Sequence, residues 1–195
     1  MRIVAGRFRG KTILAPVGRS VRPTPDRVRE AIFSIIGSRL GPDFADVAVL
    51  DLFAGTGAMG LEALSRGAGS CVFVDSGAEA RALLRENIER FGVAGSAKLL
   101  RRDACALGPA GSLGPFDLVF ADPPYGEGLG GRALHSAAHG GWLAEDALVV
   151  LEERKDADVA LPAGFEIVDR RTYGDTQVLL LTASSGPAAT GGARR

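Results

Sequence analysis

A short run at the end of an apolar segment, Asp122-Pro123-Pro124-Tyr125, has residue types suited to holding a planar base. Residues 118–121 predict a buried strand, which the prolines must end because they have no backbone N–H. The chain then leaves the sheet at its carboxyl edge, where open α/β sheets bind ligands. There Asp122 and the Pro123 carbonyl can accept both hydrogens of an exocyclic amino group, and Tyr125 can stack on the base. The alternative interpretation is an ordinary strand exit.

A glycine-rich turn lies about seventy residues upstream, with Gly55, Gly57 and Gly60 following a predicted strand over residues 47–52. Its spacing matches a dinucleotide fingerprint with Asp75 as the ribose acid, so the turn alone does not separate NAD from S-adenosylmethionine. Asp51 favours the methyl donor, because a carboxylate before the glycines opposes a pyrophosphate but tolerates a cation. Asp103, after the third predicted strand, could accept from an adenine amino group.

Positive charge is concentrated in the amino-terminal segment of this formally neutral, 195-residue chain. Residues 1–40 hold nine Lys or Arg against two acids, a net charge of +7, which leaves −7 for the remainder. A basic arm on an acidic body favours a polyanion partner over the alternative of a merely solvated segment. The candidate RNA-binding residues are Arg7, Arg9 and Lys11 in a predicted hairpin, with Arg22, Arg27 and Arg29 on or near a predicted helix.

The elements predicted to position these residues follow a β-α-β order. Strands are expected over 47–52, 70–75, 97–100, 116–121 and 147–152, with helices over 58–66, 79–91 and 132–140. Residues 165–172 and 176–181 predict an antiparallel pair, and 126–131 predict a glycine-rich lid loop. Upstream, strands at 3–4 and 12–14 would form the hairpin, and Thr24 and Pro25 would begin a helix that ends near Leu40.

Several protein classes are disfavoured by composition. No apolar run approaches a membrane span and the basic start does not resemble a signal peptide, so a cytoplasmic protein is expected. The chain has two cysteines, Cys71 and Cys105, which are expected to be reduced thiols. Both are interpreted as small side chains of the core. His135 and His139 have helical ligand spacing but no evident third ligand, so we expect no metal. We also expect a monomer.

Four blocks of the sequence together resemble one bacterial family. They are Arg2–Lys11, Arg22–Phe33, Asp51–Ala68 and Asp122–Tyr125, and they are similar to RsmD-type 16S rRNA guanine-N2 methyltransferases. Tyr125 stands where many relatives have Phe. The resemblance implies an α/β, Rossmann-like class I methyltransferase sheet, mostly parallel with its last strand antiparallel, and a small hairpin and helix extension. The expected divisions are 1–42 for the RNA-contacting extension, 43–182 for the methyltransferase domain and 183–195 for a disordered tail.

The resemblance also implies roles for particular residues. S-adenosyl-L-methionine would be held by Asp51, Phe53, Ala54, Gly55, Thr56, Gly57, Asp75, Ser76, Asp103 and Ala104. Asp122, Pro123 and Tyr125 would act at the target base, a guanine of the 966 type in 16S rRNA on the assembling 30S subunit. The alternatives are a DNA adenine-N6 methyltransferase and a non-catalytic RNA-binding assembly factor, with an oxidoreductase third.

Overall fold

A computed structural model describes residues 1–16, 26–41 and 43–184. The described residues contain four α-helices: α1 (Asp26–Leu40), α2 (Ala58–Ser65), α3 (Ala78–Phe91) and α4 (Leu129–His139). The strands are β1 (Ala48–Leu52), β2 (Ser70–Val74), β3 (Ala97–Leu100), β4 (Phe116–Ala121), β5 (Leu143–Arg154), β6 (Phe165–Tyr173) and β7 (Thr176–Ala183). Short 3-10 turns occupy Ala104–Ala106 and Gly111–Leu113. Among these residues no helix is both long and apolar enough to cross a membrane.

All seven strands form one sheet in the order β3-β2-β1-β4-β5-β7-β6. The pairs from β3 to β5 are parallel, whereas β7 runs antiparallel to both β5 and β6. The α/β fold class, with a mostly parallel sheet and a reversed last strand, is therefore confirmed. The order reverses direction on either side of β1, which creates the crevice at the carboxyl edge where such sheets bind ligands.

Each face of the sheet is covered by its own apolar layer. Helices α1, α2 and α3 pack on one face with Phe33, Leu64 and Leu84, and α4 covers the other with Leu134 and the buried Trp142. Both faces are thus removed from water, which explains why the central strands are near-continuous apolar runs. Trp142 is fully buried, and its indole Nε1 donates to the Gly108 carbonyl at 2.7 Å.

The amino-terminal arm, residues 1–16, shares the core of the α1–α3 face. Ile3 and Ile13 are almost fully buried there, and each contributes about 1.5–3 kcal/mol of apolar burial. The chain bends back as expected, and backbone hydrogen bonds from the Ile3 N–H to the Lys11 carbonyl and from the Ile13 N–H to the Met1 carbonyl, both 3.0 Å, join its two sides. Regular pairing is confined to one isolated antiparallel bridge, Arg2 to Thr12, so the hairpin is shorter than the predicted strands at 3–4 and 12–14. Beyond Ile3, the backbone N–H groups of Val4 and Ala5 donate to the side chain of Glu62.

A buried carboxylate, Glu62 on α2, secures the arm. Its oxygens accept from the backbone N–H groups of Val4 at 2.8 Å and Ala5 at 3.0 Å. It also pairs with Arg66 at 2.9 Å and with Arg29 of α1 at 3.4 Å. The arm, α1 and α2 therefore meet at one fully buried acid. Neighbouring Gly6 lies so close to Ser65 that a Cβ atom would stand 1.9 Å from the Ser65 carbonyl oxygen.

Two further predictions are corrected by the described elements. Helix α4 begins at Leu129, so residues 129–131 are helical. The loop after residues 122–125, the Pro-Pro corner, is therefore confined to residues 126–128. The expected lid is therefore much shorter than the glycines suggested. Strand β5 extends beyond the predicted 147–152 at both ends. The predicted helix start at Thr24 and Pro25 and most of the expected tail lie outside the described residues.

Candidate active site

The candidate site lies at the carboxyl edge, where three parallel strands end side by side. Leu52 of β1 is in register with Val74 of β2 and with Ala121 of β4. The residues that follow them are Phe53, Asp75 and Asp122, so the sheet brings these three predicted site residues together. Phe53 has a left-handed backbone with φ of 57°, a conformation that costs a non-glycine residue energy and is often found at functional sites.

The glycine-rich turn joins β1 to α2 at very close range. Gly57 has φ of 78°, and a Cβ atom there would lie 2.3 Å from Leu84 Cδ1. Gly60 is equally tight against Phe73, so α2 lies directly on the sheet. This approach lets the Gly60 N–H donate to Asp51 Oδ2 at 3.0 Å. The backbone of the turn is also held by Asn87, whose amide donates to the carbonyls of Thr56 and Leu14.

Asp51 is a buried carboxylate at the base of this turn. Burial raises its pKa from 3.8 to about 8, the Gly60 hydrogen bond opposes that rise, and the charges of Asp122 and Asp75 add to it. Asp51 is therefore mostly protonated at neutral pH. A cation placed beside it would restore the ionised form, because opposite charge favours the carboxylate.

Asp75, which directly follows β2, joins the glycine-rich turn to the start of α3. Its Oδ2 accepts from the Gly55 N–H at 2.9 Å and its Oδ1 accepts from the Gly77 N–H at 2.7 Å. Both carboxylate oxygens keep lone pairs for a further donor, since each can accept more than one hydrogen bond. Asp75 and the exposed Ser76 both line a cavity that extends to Asp122.

Asp103 and Ala104 follow β3 and lie apart from the site residues that follow β1 and β2. The exposed Asp103 carboxylate accepts from the Cys105 N–H at 2.8 Å and begins the 3-10 turn there. Ala104 is buried against the α4 side of the sheet. Neither residue lines the cavity that Asp75 and Ser76 line, although both follow β3 at the carboxyl edge of the sheet.

A cavity of about 970 Å³ connects the predicted cofactor edge with the Pro-Pro corner. Seven of the site residues predicted from the sequence line this cavity: Arg27, Phe53, Asp75, Ser76, Asp122, Pro123 and Tyr125. The lining does not include the buried Asp51 or the turn residues Ala54, Gly55, Thr56 and Gly57. Lining residues that sequence reasoning missed include Val28 and Ala31 of α1, Glu152 and Arg154 of β5, and residues 173–176 between β6 and β7.

The Pro-Pro corner presents one titratable acceptor and one ring to this cavity. Asp122 is exposed to the cavity, yet the surrounding protein raises its pKa from 3.8 to about 6 by desolvation, with the charge of Glu153 adding to the effect. Tyr125 is 41% exposed. Its hydroxyl lies 3.0 Å from Thr176 Oγ1, which joins the corner to the β6–β7 turn. Burial also raises the Tyr125 pKa, and the Thr176 hydrogen bond opposes that rise.

The candidate RNA-binding residues fall into three groups. Arg7, Arg9 and Arg27 are exposed, and Arg27 also lines the cavity. Lys11 is exposed, but its ammonium lies 4.8 Å from the centre of the Phe91 ring and donates to the Arg90 carbonyl, so it is tied to α3. Arg29 is fully buried, so its prediction as an RNA-facing residue is wrong.

Arg29 is held inside by its partners: Glu62, Asp26 at 2.9 Å, and the Arg2 carbonyl. Arg22 lies outside the described residues. Phe8, which lies between Arg7 and Arg9 in the sequence, packs inside the protein and contacts Phe91 edge-on with ring centres 5.3 Å apart. Cys71 is buried as expected, whereas Cys105 is only partly buried.

Comparison with known families decides the class of this protein. Residues 1–182 match the family model described as "Conserved hypothetical protein 95". The ribosomal RNA small subunit methyltransferase D of Escherichia coli K12 is 34% identical over 176 residues, which cover 89% of this chain and 85% of that protein. This chain belongs to the RsmD-type methyltransferase family. The YlbH protein of Bacillus subtilis is 36% identical over 92% of this chain and 97% of its own length.

Solved structures agree with this assignment. The yhhF protein of Escherichia coli superposes with a TM-score of 0.80 at 30% identity, over 95% of this chain and 99% of that one. An RNA methyltransferase of Salinibacter ruber, solved with S-adenosyl-L-homocysteine, has a TM-score of 0.63 at 14% identity and covers 86% of this chain and 97% of its own. That second likeness shows the fold alone. The expectation of a class I methyltransferase fold is confirmed.

Proposed function

We propose that this protein transfers a methyl group from S-adenosyl-L-methionine to the exocyclic N2 of a guanine in 16S rRNA, of the 966 type, on the assembling 30S subunit. The observation that carries the proposal is the cavity that joins the cofactor edge to the Asp122–Tyr125 corner. RsmD-type relatives named as small-subunit rRNA methyltransferases support the substrate class. Such a reaction would take place in the cytoplasm.

The residues at and after the ends of β1 and β2 fit this cofactor. Asp51 is a buried acid whose ionised form needs a nearby cation, and the methionine end of the cofactor carries a sulfonium and an amino group. Phe53, Asp75 and Ser76 line the cavity beside it, where a ribose and a base can lie. When bound, the cofactor supplies an activated methyl group. Asp103 and Ala104 would contact the adenine from the β3 end.

At the opposite end of the cavity, Asp122 and the Pro123 carbonyl would accept the two hydrogens of the target amino group. These bonds leave the nitrogen lone pair directed toward the methyl group and stabilise positive charge that develops on nitrogen during transfer. Tyr125, fixed by Thr176, would hold the plane of the base. Catalysis would then consist of positioning and electrostatics, with Asp122 able to accept the released proton.

The exposed cations of the arm and α1 would bind the RNA backbone. Replacing Arg7 and Arg9 by Gln should weaken RNA binding and reduce the slope of log affinity against log salt by roughly 1.4–1.8, because two phosphate contacts are lost. Arg171, an exposed cation of β6 paired with Asp169 at 3.0 Å, offers a matched control. An unchanged salt slope in the Arg7 and Arg9 variant would rule out the arm as the RNA contact.

The proposal is tested by labelled-methyl transfer from S-adenosyl-L-methionine to 30S particles lacking the modification, to naked 16S RNA and to duplex DNA. We expect N2-methylguanosine, formed most efficiently on the particles. N6-methyladenine in DNA would keep the site chemistry but replace the substrate. Binding of RNA and cofactor without transfer to any of the three would favour a non-catalytic assembly factor.

A further inference from the structure

A second acid, Glu152, accompanies Asp122 in the cavity. It directly follows Leu151, which is in register with Ala121 immediately before Asp122. Extending this register by one residue places Asp122, which directly follows β4, beside Glu152 of β5, at the strand spacing of about 4.8 Å. Alternation places both on the same face, because the preceding residues Phe120 and Val150 share the α1–α3 layer.

The position of Glu152 suits a specific contact more than general solvation. The residue is only 4% exposed, yet it lines the cavity that contains the Pro-Pro corner. Its charge also reaches Tyr125, whose pKa it helps to raise after the larger effects of burial and of Asp122. Because Glu152 lines the cavity and its two carboxylate oxygens can together accept several hydrogen bonds, it can accept from a ligand donor in addition to its contacts within the protein.

Guanine presents such a donor next to the reacting amino group. On its Watson–Crick edge the N1–H lies beside the N2 amino group, so two adjacent donors face one direction. Adenine offers an acceptor at N1 beside its own amino group, and a carboxylate would repel it. Two neighbouring acids therefore distinguish the two purines, where Asp122 and the Pro123 carbonyl alone would accept either amino group.

We infer that Glu152 is a specificity-determining residue that accepts the N1–H of the target guanine while Asp122 holds the N2 amino group. This inference rests on the proposed guanine-N2 methylation. In this inference Asp122 and Glu152 together select the base, and the Pro-Pro corner positions it for methyl transfer.

The test compares two target bases in otherwise identical 16S RNA assembled into 30S particles. One carries guanine at the methylated position, and the other carries 2-aminopurine, which keeps the N2 amino group but has an acceptor at N1. The wild-type protein should favour guanine by about 10- to 100-fold in kcat/KM, as expected for one specific base contact. Glu152→Gln should reduce or reverse this preference, because an amide can donate to N1 of 2-aminopurine.

Glu153→Gln is the matched control, since it removes the adjacent buried acid, which is 5% exposed and does not line the cavity. It should keep the wild-type preference between the two bases. Cofactor affinity and thermal unfolding establish that each variant is folded.

The outcomes separate the two proposals. Absence of N2-methylguanosine with the wild-type protein would refute the proposed function itself. Guanine methylation with equal wild-type rates on both bases would overturn the Glu152 assignment alone, and this comparison does not depend on any variant. An unchanged preference in folded Glu152→Gln would also overturn it.

Discussion

Cofactor binding should be linked to the loss of a proton from Asp51. The carboxyl group is buried and its pKa of about 8 leaves it mainly neutral in the free protein at pH 7. The proposed cofactor brings positive charge to this side of the crevice, and an opposite charge favours the ionised carboxylate. Binding therefore selects the minor, ionised form.

The magnitude follows from the pKa. At pH 7 about nine tenths of a group with a pKa near 8 is protonated, so Asp51 should release about 0.9 proton on binding. Selecting the ionised tenth costs about 1.4 kcal/mol at that pH, and the cost grows by the same amount for each unit of further acidification. Affinity should thus fall about tenfold from pH 7 to pH 6 and level off above pH 8.

Isothermal titration calorimetry in buffers of different ionisation enthalpy measures this proton release. S-adenosyl-L-methionine has an amino group that titrates in the same range, so the quantity to compare is the difference between wild type and Asp51→Asn. The variant keeps an oxygen that can accept the Gly60 N–H but has no proton to lose. It should release about 0.9 proton fewer at pH 7.

Equal proton release by the two proteins at pH 7 would refute the reasoning. That result would mean that Asp51 is already ionised in the free protein or stays protonated in the complex. In either case the cation would not be held by this acid, and the assignment of the methionine end to Asp51 would fail.

Three further results are expected. At saturating S-adenosyl-L-methionine, transfer should slow as pH falls through about 6, because protonated Asp122 loses an acceptor. This acidic limb of the kcat/KM profile for RNA should be absent from Asp122→Asn, and a limb that persists in the variant would contradict the assignment. Glu62→Gln should lower the free energy of unfolding by about 3 kcal/mol in urea titrations, since buried Arg29 loses a charged partner; a change below about 1 kcal/mol would show that the pair is not stabilising. Tyr125→Phe and Thr176→Val should each reduce kcat/KM roughly fivefold without adding in the double variant, while Thr176→Ser retains activity; additive losses would mean that their hydrogen bond does not position the ring.

Local patterns were sufficient to predict most of the sheet. Strands β3 and β4 have the predicted bounds because each is a short run between clear turn signals. Strand β5 is longer than predicted because its polar residues Glu153 and Arg154 still pair with β7. The hairpin of the arm is shorter than predicted for a tertiary reason: the N–H groups of Val4 and Ala5 donate to Glu62, nearly sixty residues away.

Site residues could be predicted where a single segment fixes their position. They could not be predicted where the site is formed by packing of several segments. Asp122 and Asp75 follow apolar strands, so their meeting at one edge follows from parallel pairing. Arg29 was misplaced because helical spacing does not show whether a charged side chain has a buried partner. The cavity walls from α1 and the β6–β7 turn depend on packing, although Glu152 within an apolar strand was an available signal.

The attachment of the arm has a kinetic consequence. Residues 3–14 are held by side chains of Glu62, Ser65 and Asn87, separated from them by 57 to 73 positions in sequence. Contacts of such high sequence separation raise the contact order and are slow to form, because the loop must close before they stabilise anything. The arm should dock only after α2 and α3 are in place. Since Asn87 also holds the Thr56 carbonyl, the glycine-rich turn reaches its final order in the same late step.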